Sequence, residues 1–397
     1  MKILILTPRI PYPPYRGDKL KIFNIARQLS NHNSVEILTF YRSKKDLEDT
    51  IHFSDYNIKV TTIKLTLIES LFRICLTFFS KRPFQVAWFR SVKMMGMLNK
   101  LINENNYDVV YYHLIRSAQY FKPEFSGITI NVIDFTDAVS LYLDRFVKIE
   151  QNPLKKLFIK MERARIYEYE KVGENFHTLF ICSEVDKEFL LKRGIKANIK
   201  ILSNAIDSDY FKPEEISYDN NRIIFTGNMP YFANYDAVIY FTGEIFPLIK
   251  KIIPEARFFV VGQKPPSNIR KLASDDIVIT GFVKDIRIEY LKSSVNVAPM
   301  RFGAGTLNKV LESIALGVPV VATKMAVLGL PKELSKYVFV AESSEDFAKK
   351  VIEIIKNPNI RFELMEEGKN YIKNNFSWEK IVKDFENYLK KELTKKI

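Results

Sequence analysis

The sequence predicts an α/β protein made of two doubly wound domains, each a parallel sheet with helices on both faces. Three observations carry this. Short apolar runs alternate with helix-patterned segments along the whole chain. The runs fall into two sets of six, and each set is enough for one doubly wound sheet. At 397 residues the chain is too long for one typical core, so two domains are expected.

In the first set the strands read as residues 2–7, 35–40, 58–63, 108–112, 128–134 and 177–183. The first, Lys2-Ile3-Leu4-Ile5-Leu6-Thr7, runs into Pro8-Arg9-Ile10-Pro11-Tyr12-Pro13-Pro14 and then Tyr15-Arg16-Gly17-Asp18-Lys19. Gly17 permits a close backbone approach to a ligand there. Residues 65–79 form an apolar helical stretch interrupted by Glu69 and Arg73. It is expected to face the core, with a place in a membrane interface as the alternative. The fourth strand ends at His113, one of four histidines. The fifth is followed by Asp134 and Asp137, two carboxylates in a position that invites general-base chemistry.

The boundary is expected near 200–218, where Lys200-Ile201-Leu202-Ser203-Asn204-Ala205-Ile206-Asp207 leads to Tyr210-Phe211-Lys212-Pro213. The expected domains are 1–205 and 206–375, closed by a final helix over 376–397 with Ser377 as its N-cap. The second set reads as 222–226, 256–261, 276–280, 295–298, 318–322 and 337–340. Its strand ends carry glycine turns: Thr226-Gly227-Asn228-Met229, Val261-Gly262 and Thr280-Gly281-Phe282. Asn234-Tyr235-Asp236-Ala237 opens a helical pattern after the first of these.

Residues 303–323 are the most specific stretch: Gly-Ala-Gly-Thr-Leu-Asn-Lys-Val-Leu-Glu-Ser-Ile-Ala-Leu-Gly-Val-Pro-Val-Val-Ala-Thr. A glycine loop enters an amphipathic helix that stops before an apolar strand. Unpaired N–H groups at such a helix start can hold a phosphate. Lys309 and Glu312, three apart, share one face near that start. A cation for phosphate beside a carboxylate for sugar hydroxyls describes a nucleotide-sugar site.

This stretch resembles the retaining glycosyltransferases of family 4 (glycosyl transferases group 1), many of which read Gly-x-Gly-Thr-x-x-Lys-x-Leu-Glu-Ala-x-Ala-x-Gly-x-Pro-Val-Val-Ala-Thr. The likeness covers nearly the whole chain. Arg9-Ile10-Pro11-Tyr12-Pro13-Pro14, Gly17-Asp18-Lys19 and Asp134-Phe135-Thr136-Asp137 bring it nearest to an exopolysaccharide-associated branch. It implies a GT-B fold: two Rossmann-like domains facing across a cleft, the last helix returning to the first.

It further implies a catalytic set of Lys309, Glu312 and His113, with Glu312 on the donor ribose and His113 on the donor sugar. Donor contacts would come from Gly227, Asn228, Gly281, Phe282, Arg301, Gly303, Gly305 and Thr306. Acceptor contacts would come from Gly17 and Asp18, and from Asp134 and Asp137 unless these two hold the loop; no catalytic role is assigned to either carboxylate. The chain departs from the pattern in places. Asn228 and Asn234 stand where many members place an Arg and a Lys on the diphosphate, which leaves Lys309 and Arg301 to carry that charge. Ala304 stands where the first glutamate of the pair falls, so loop backbone must contact the sugar.

The expected reaction moves a sugar, with retention, from a nucleotide sugar to a lipid-linked or polysaccharide acceptor. No cofactor and no metal are expected, since the nucleotide sugar is a co-substrate and backbone dipoles with Lys309 meet the departing diphosphate. Asp207-Ser208-Asp209 spells a metal signature but lies in the boundary segment and is read as chance. Two other classes stay open: a nucleotide-sugar epimerase, and a non-enzymatic basic module for membrane or nucleic acid.

The net charge is +14, and residues 1–200 hold 32 Lys and Arg against 21 Asp and Glu. That asymmetry points to an anionic membrane surface as a further partner of the N-terminal half, with no nucleic acid expected. A lysine-rich composition without a special partner is the other reading. Cys75 and Cys182 are the only cysteines, which excludes a disulfide framework. With neither a signal-peptide pattern nor a spanning apolar run, the expected place is the cytoplasm, peripheral on the inner face of the cytoplasmic membrane.

Overall fold

A computed structural model describes the chain except residues 79, 215, 304, 305 and 397 and the side chains of 362–365 and 396. It divides into two compact units, residues 1–203 with 381–397, and residues 204–380.

The first unit holds a seven-stranded sheet in the order β3-β2-β1-β4-β5-β6-β7, all parallel. Its strands are β1 (Lys2–Thr7), β2 (Ser34–Tyr41), β3 (Lys59–Lys64), β4 (Val109–His113), β5 (Ile130–Thr136), β6 (Thr178–Ile181) and β7 (Ile199–Ile201). The six expected strands are all present. β7 is additional: residues 200 and 201, read as the start of the boundary, pair with β6. The inner strands are buried on both faces, as crossover helices require, and every residue of β4 and β5 is buried.

The second unit holds six parallel strands in the order β10-β9-β8-β11-β12-β13. These are β8 (Asp219–Thr226), β9 (Arg257–Val261), β10 (Ile277–Gly281), β11 (Ser293–Ala298), β12 (Val320–Thr323) and β13 (Val338–Ala341). In each sheet the chain order reverses beside the first strand, between β1 and β4 and between β8 and β11. A crevice opens at the carboxyl ends of strands at such a reversal.

The final helix, Trp378–Lys396, serves both units in sequence. At its start Ile206 bridges Ser377 and accepts from the Trp378 N–H at 3.1 Å. Further on, Phe385 packs edge-on against Tyr111 and Phe180 of the first unit, with ring centroids 5.7 and 5.1 Å away.

One expectation is overturned. The Leu67–Thr77 helix does not face the core: its buried residues are Ser70 and Thr77, and Ile68 is 80% exposed. The polar side of the helix faces inward because Ser70 donates to the Trp88 carbonyl at 2.9 Å and accepts from Arg42 at 2.9 Å.

Candidate functional site

In the second unit the side chains converge at the β8/β11 reversal. Three neighbouring strands, β8, β9 and β10, each carry a glycine at or just after the carboxyl end. The Gly227 N–H bonds the Val261 carbonyl at 3.0 Å, and the Gly262 N–H bonds the Gly281 carbonyl at 3.1 Å. A Cβ on Gly262 would lie 1.8 Å from the Gly227 carbonyl oxygen, and one on Gly227 would lie 2.8 Å from the Asn234 side chain. Both glycines are therefore demanded by packing. Gly262→Ala is expected to destabilise the protein by about 1–3 kcal/mol or more, through overpacking. Gly17→Ala, whose Cβ would meet nothing within 4 Å, is the control. Urea denaturation of the two variants checks this.

Asn234, on the Phe232–Tyr240 helix, joins this turn to the 303–323 segment. Its Nδ2 donates to the Asn228 carbonyl at 3.0 Å, and its Oδ1 accepts from Lys309 Nζ at 2.9 Å. Lys309 lies on the Asn308–Ala315 helix, whose start has no side-chain cap. Its ammonium sits 3.8 Å above the Phe225 ring, and burial pulls its pKa down to about 7. No carboxylate among the described residues forms an ion pair with it.

Glu312, one turn further, accepts the Tyr290 hydroxyl at 3.0 Å, and that hydroxyl lies 2.6 Å from Thr226 Oγ1. Burial raises the Glu312 carboxyl above its ordinary value, against the opposing pull of Tyr290 and Lys309. Its second oxygen accepts no hydrogen bond among the described residues. The Phe282 ring, after β10, is 57% exposed. Thr306 is buried, and Asn204 donates to its carbonyl at 3.1 Å. Gly303 adjoins this loop, whereas Gly305 lies outside the described residues.

Arg301 already holds a carboxylate. Its guanidinium forks onto Asp236, with Nε at 3.0 Å from Oδ2, and that hydrogen bonding raises its pKa. The sequence reading quoted Asp236 but did not pair it with Arg301.

In the first unit the β1/β4 reversal brings Thr7 and His113 together, Oγ1 to Nδ1 at 3.0 Å. His113 is 2% exposed, and burial pulls its pKa down to about 4, so the ring is neutral near pH 7. Its Nε2 has no partner among the described residues. Asp18 is gripped by Arg9 at 3.0 Å and Arg16 at 3.1 Å. Burial pushes its carboxyl up, but Arg16 and Arg9 outweigh it and hold the pKa below the ordinary value. Arg116 joins them, its guanidinium and that of Arg9 both over the Phe89 ring. Burial draws Arg116 down to about 10, and no carboxylate among the described residues pairs with it. Two guanidinium groups thus hold one carboxylate, and a third shares the Phe89 ring with Arg9. The sequence reading quoted Arg9 and Arg16 but did not select them, and nothing in the local sequence marks Arg116.

The acceptor carboxylates separate. Asp134 is fully buried, ion-paired to Lys21 at 2.8 Å, and accepts the Tyr111 hydroxyl at 2.6 Å and the Thr136 N–H at 2.7 Å. Its oxygens are committed inside the core, so the acceptor-binding reading is withdrawn for it. Asp137 is half-buried, accepts the Cys182 thiol at 3.1 Å, and is pushed up to about 7 by burial and by Asp186. Among the described residues no group of three or more His, Cys, Asp or Glu side chains could hold a metal ion.

Residues 220–357 match the family model described as glycosyl transferases group 1. Solved structures similar over the whole chain share the fold. Sucrose-phosphate synthase from Thermosynechococcus elongatus is 13% identical, with a TM-score of 0.73 and 99% of each chain covered. HepE from Anabaena, solved with UDP and glucose, is 13% identical with a TM-score of 0.66, covering 98% of this chain and 99% of its own. An uncharacterized 44.6 kDa protein in the cps region of Klebsiella pneumoniae is 22% identical, covering 96% of this chain and 97% of its own length. The architecture is GT-B, and with a group 1 domain on it the chain is a glycosyltransferase.

Proposed function

We propose that this glycosyltransferase takes a sugar from a nucleoside diphosphate sugar held by the second unit and transfers it, with retention, to an anionic or lipid-linked glycan acceptor. The observation that carries the reading is the pair Lys309 and Glu312 on one uncapped helix at the β8/β11 reversal. Lys309 is buried, forms no ion pair with a carboxylate among the described residues, and is placed for a diphosphate. The start of this helix, which has no side-chain cap, adds to its field. The unused Glu312 oxygen suits ribose hydroxyls, and the exposed Phe282 ring offers a face to the base.

As the glycosidic bond to the diphosphate breaks, negative charge grows on the leaving oxygens, and donors fixed beforehand stabilise it most. Lys309 and the helix start supply that charge, and no metal enters the proposal. The departing phosphate takes the proton of the incoming hydroxyl on the same face of the sugar, which preserves configuration. His113 is neutral, and its buried Nε2, which has no partner among the described residues, is the nitrogen proposed to take a sugar hydroxyl. The arginines around Asp18 favour an acceptor that bears negative charge. The relative from the cps region supports polysaccharide assembly as the setting, and the UDP complex of HepE makes UDP the first nucleotide to try.

Thermal unfolding with UDP, GDP and ADP, each with and without EDTA, tests this. A ligand at 100 times its Kd stabilises by about 2.7 kcal/mol. One diphosphate is expected to raise the midpoint regardless of EDTA, and Glu312→Ala to shrink the rise. A flat response to all three nucleotides would refute the donor site.

A further inference from the structure

The Leu67–Thr77 helix turns its apolar side outward. Leu67, Ile68, Leu71, Phe72, Leu76 and Phe78 are all exposed. The helix is well formed, since Thr66 and Glu69 close a capping box at its start. The patch continues onto a second helix. Phe78 lies 5.0 Å from Phe84, and Phe84 stacks on Phe158 of the Pro153–Tyr169 helix at 5.0 Å. Glu162 fixes this junction by accepting the N–H groups of Phe84 and Gln85 at 2.8 and 3.1 Å. Beyond it Leu154, Leu157, Phe158 and Met161 are exposed.

The charge around this apolar ridge is predominantly positive. Residues 64–90 carry Lys64, Arg73, Lys81, Arg82 and Arg90 against Glu69, which is spent on the cap. The second helix carries Lys155, Lys156, Lys160, Arg163 and Arg165 against Glu162 and Glu168, of which Glu162 is buried at the junction. A second copy of the chain would set these cations against their like. Anionic headgroups would neutralise them while the acyl boundary took the Leu, Ile and Phe side chains. No helix among the described residues is long and apolar enough to cross a membrane.

We propose that these two helices form a docking face for an anionic lipid bilayer, with the Leu67–Thr77 helix lying in the headgroup plane. The inference stands independently of the glycosyl-transfer reading. Cys75, exposed on this helix, is the natural reporter, because Cys182 is buried. An environment-sensitive fluorophore on Cys75 is expected to shift to the blue with vesicles of phosphatidylglycerol and phosphatidylcholine, and not with phosphatidylcholine alone. Ile68→Glu with Phe72→Glu changes two exposed side chains, so the fold stays intact. It is expected to lower sedimentation with anionic vesicles about tenfold or more. An unchanged thermal midpoint shows that the variant is folded. Equal vesicle binding by variant and wild type would overturn the proposal. So would absence of wild-type binding at low salt, or a lipid-free dimer that the double variant breaks.

Discussion

Lys309→Met is expected to make the ligand-free protein more stable and the donor site nearly blind to a nucleoside diphosphate. Lys309 is 8% exposed, and its neighbours are Asn234, the Phe225 ring and Met300. Replacing a buried amine that forms no direct ion pair among the described residues with an apolar chain of similar length is expected to gain about 1 kcal/mol. Losing a charge-assisted contact to the diphosphate should weaken its binding by about 10- to 100-fold. Calorimetric titration beside a thermal melt reads both effects, and a variant that is destabilised yet still binds would remove Lys309 from the site.

The pH dependence of the wild type follows from the same group. Burial holds Lys309 near 7 in the free protein, and a bound diphosphate raises that value. Below 7 the lysine is already charged, so binding is insensitive to this group. Above 7 the free site must take up a proton, and affinity falls by up to about tenfold per pH unit. Stability moves the other way. Between about 7 and the ordinary lysine value the unfolded chain carries a proton here that the folded one lacks. The folded state therefore gains as pH rises.

The second large effect belongs to Asp134. Asp134→Ala leaves the Lys21 ammonium, 1% exposed, with the Leu202 carbonyl as its recorded oxygen partner, and it strips Tyr111 of its acceptor. Breaking a buried pair on one side costs about 3–5 kcal/mol. The double variant Lys21→Met with Asp134→Leu is expected to recover much of that loss, a coupling that a double-mutant cycle isolates. The nucleotide response of the second unit should persist in both variants. Chemical denaturation that finds Asp134→Ala as stable as wild type would return this residue to the list of acceptor contacts.

These two residues show where the sequence was readable. Lys309 lies in a run whose glycine loop, helix register and following strand agree, so its place at a strand end could be inferred. Asp134 also follows a strand's apolar run, but whether a carboxylate there points to ligand or to core depends on Lys21, more than a hundred positions away. The Leu67–Thr77 helix misled for a related reason. Periodicity shows that a helix has an apolar side, not that the protein covers it. β7 was missed because three residues are too few for an alternating pattern. Arg301 was read as a diphosphate contact, and its partner, Asp236, is remote in sequence.

The last helix bears on the order of assembly during synthesis. Residues 381–397 belong to the first compact unit but are made after all of the second. Phe385 packs edge-on against Tyr111 of β4 and Phe180 of β6, and Tyr388 lies edge-on to Phe180, covering rings that would otherwise meet water. The first unit emerges from the ribosome first and is finished last. The second can gather its own sheet while its neighbour still waits for this cover. A nascent chain therefore exposes an unfinished aromatic surface for the whole time residues 204–380 are being made, an interval in which chaperone attendance would matter most.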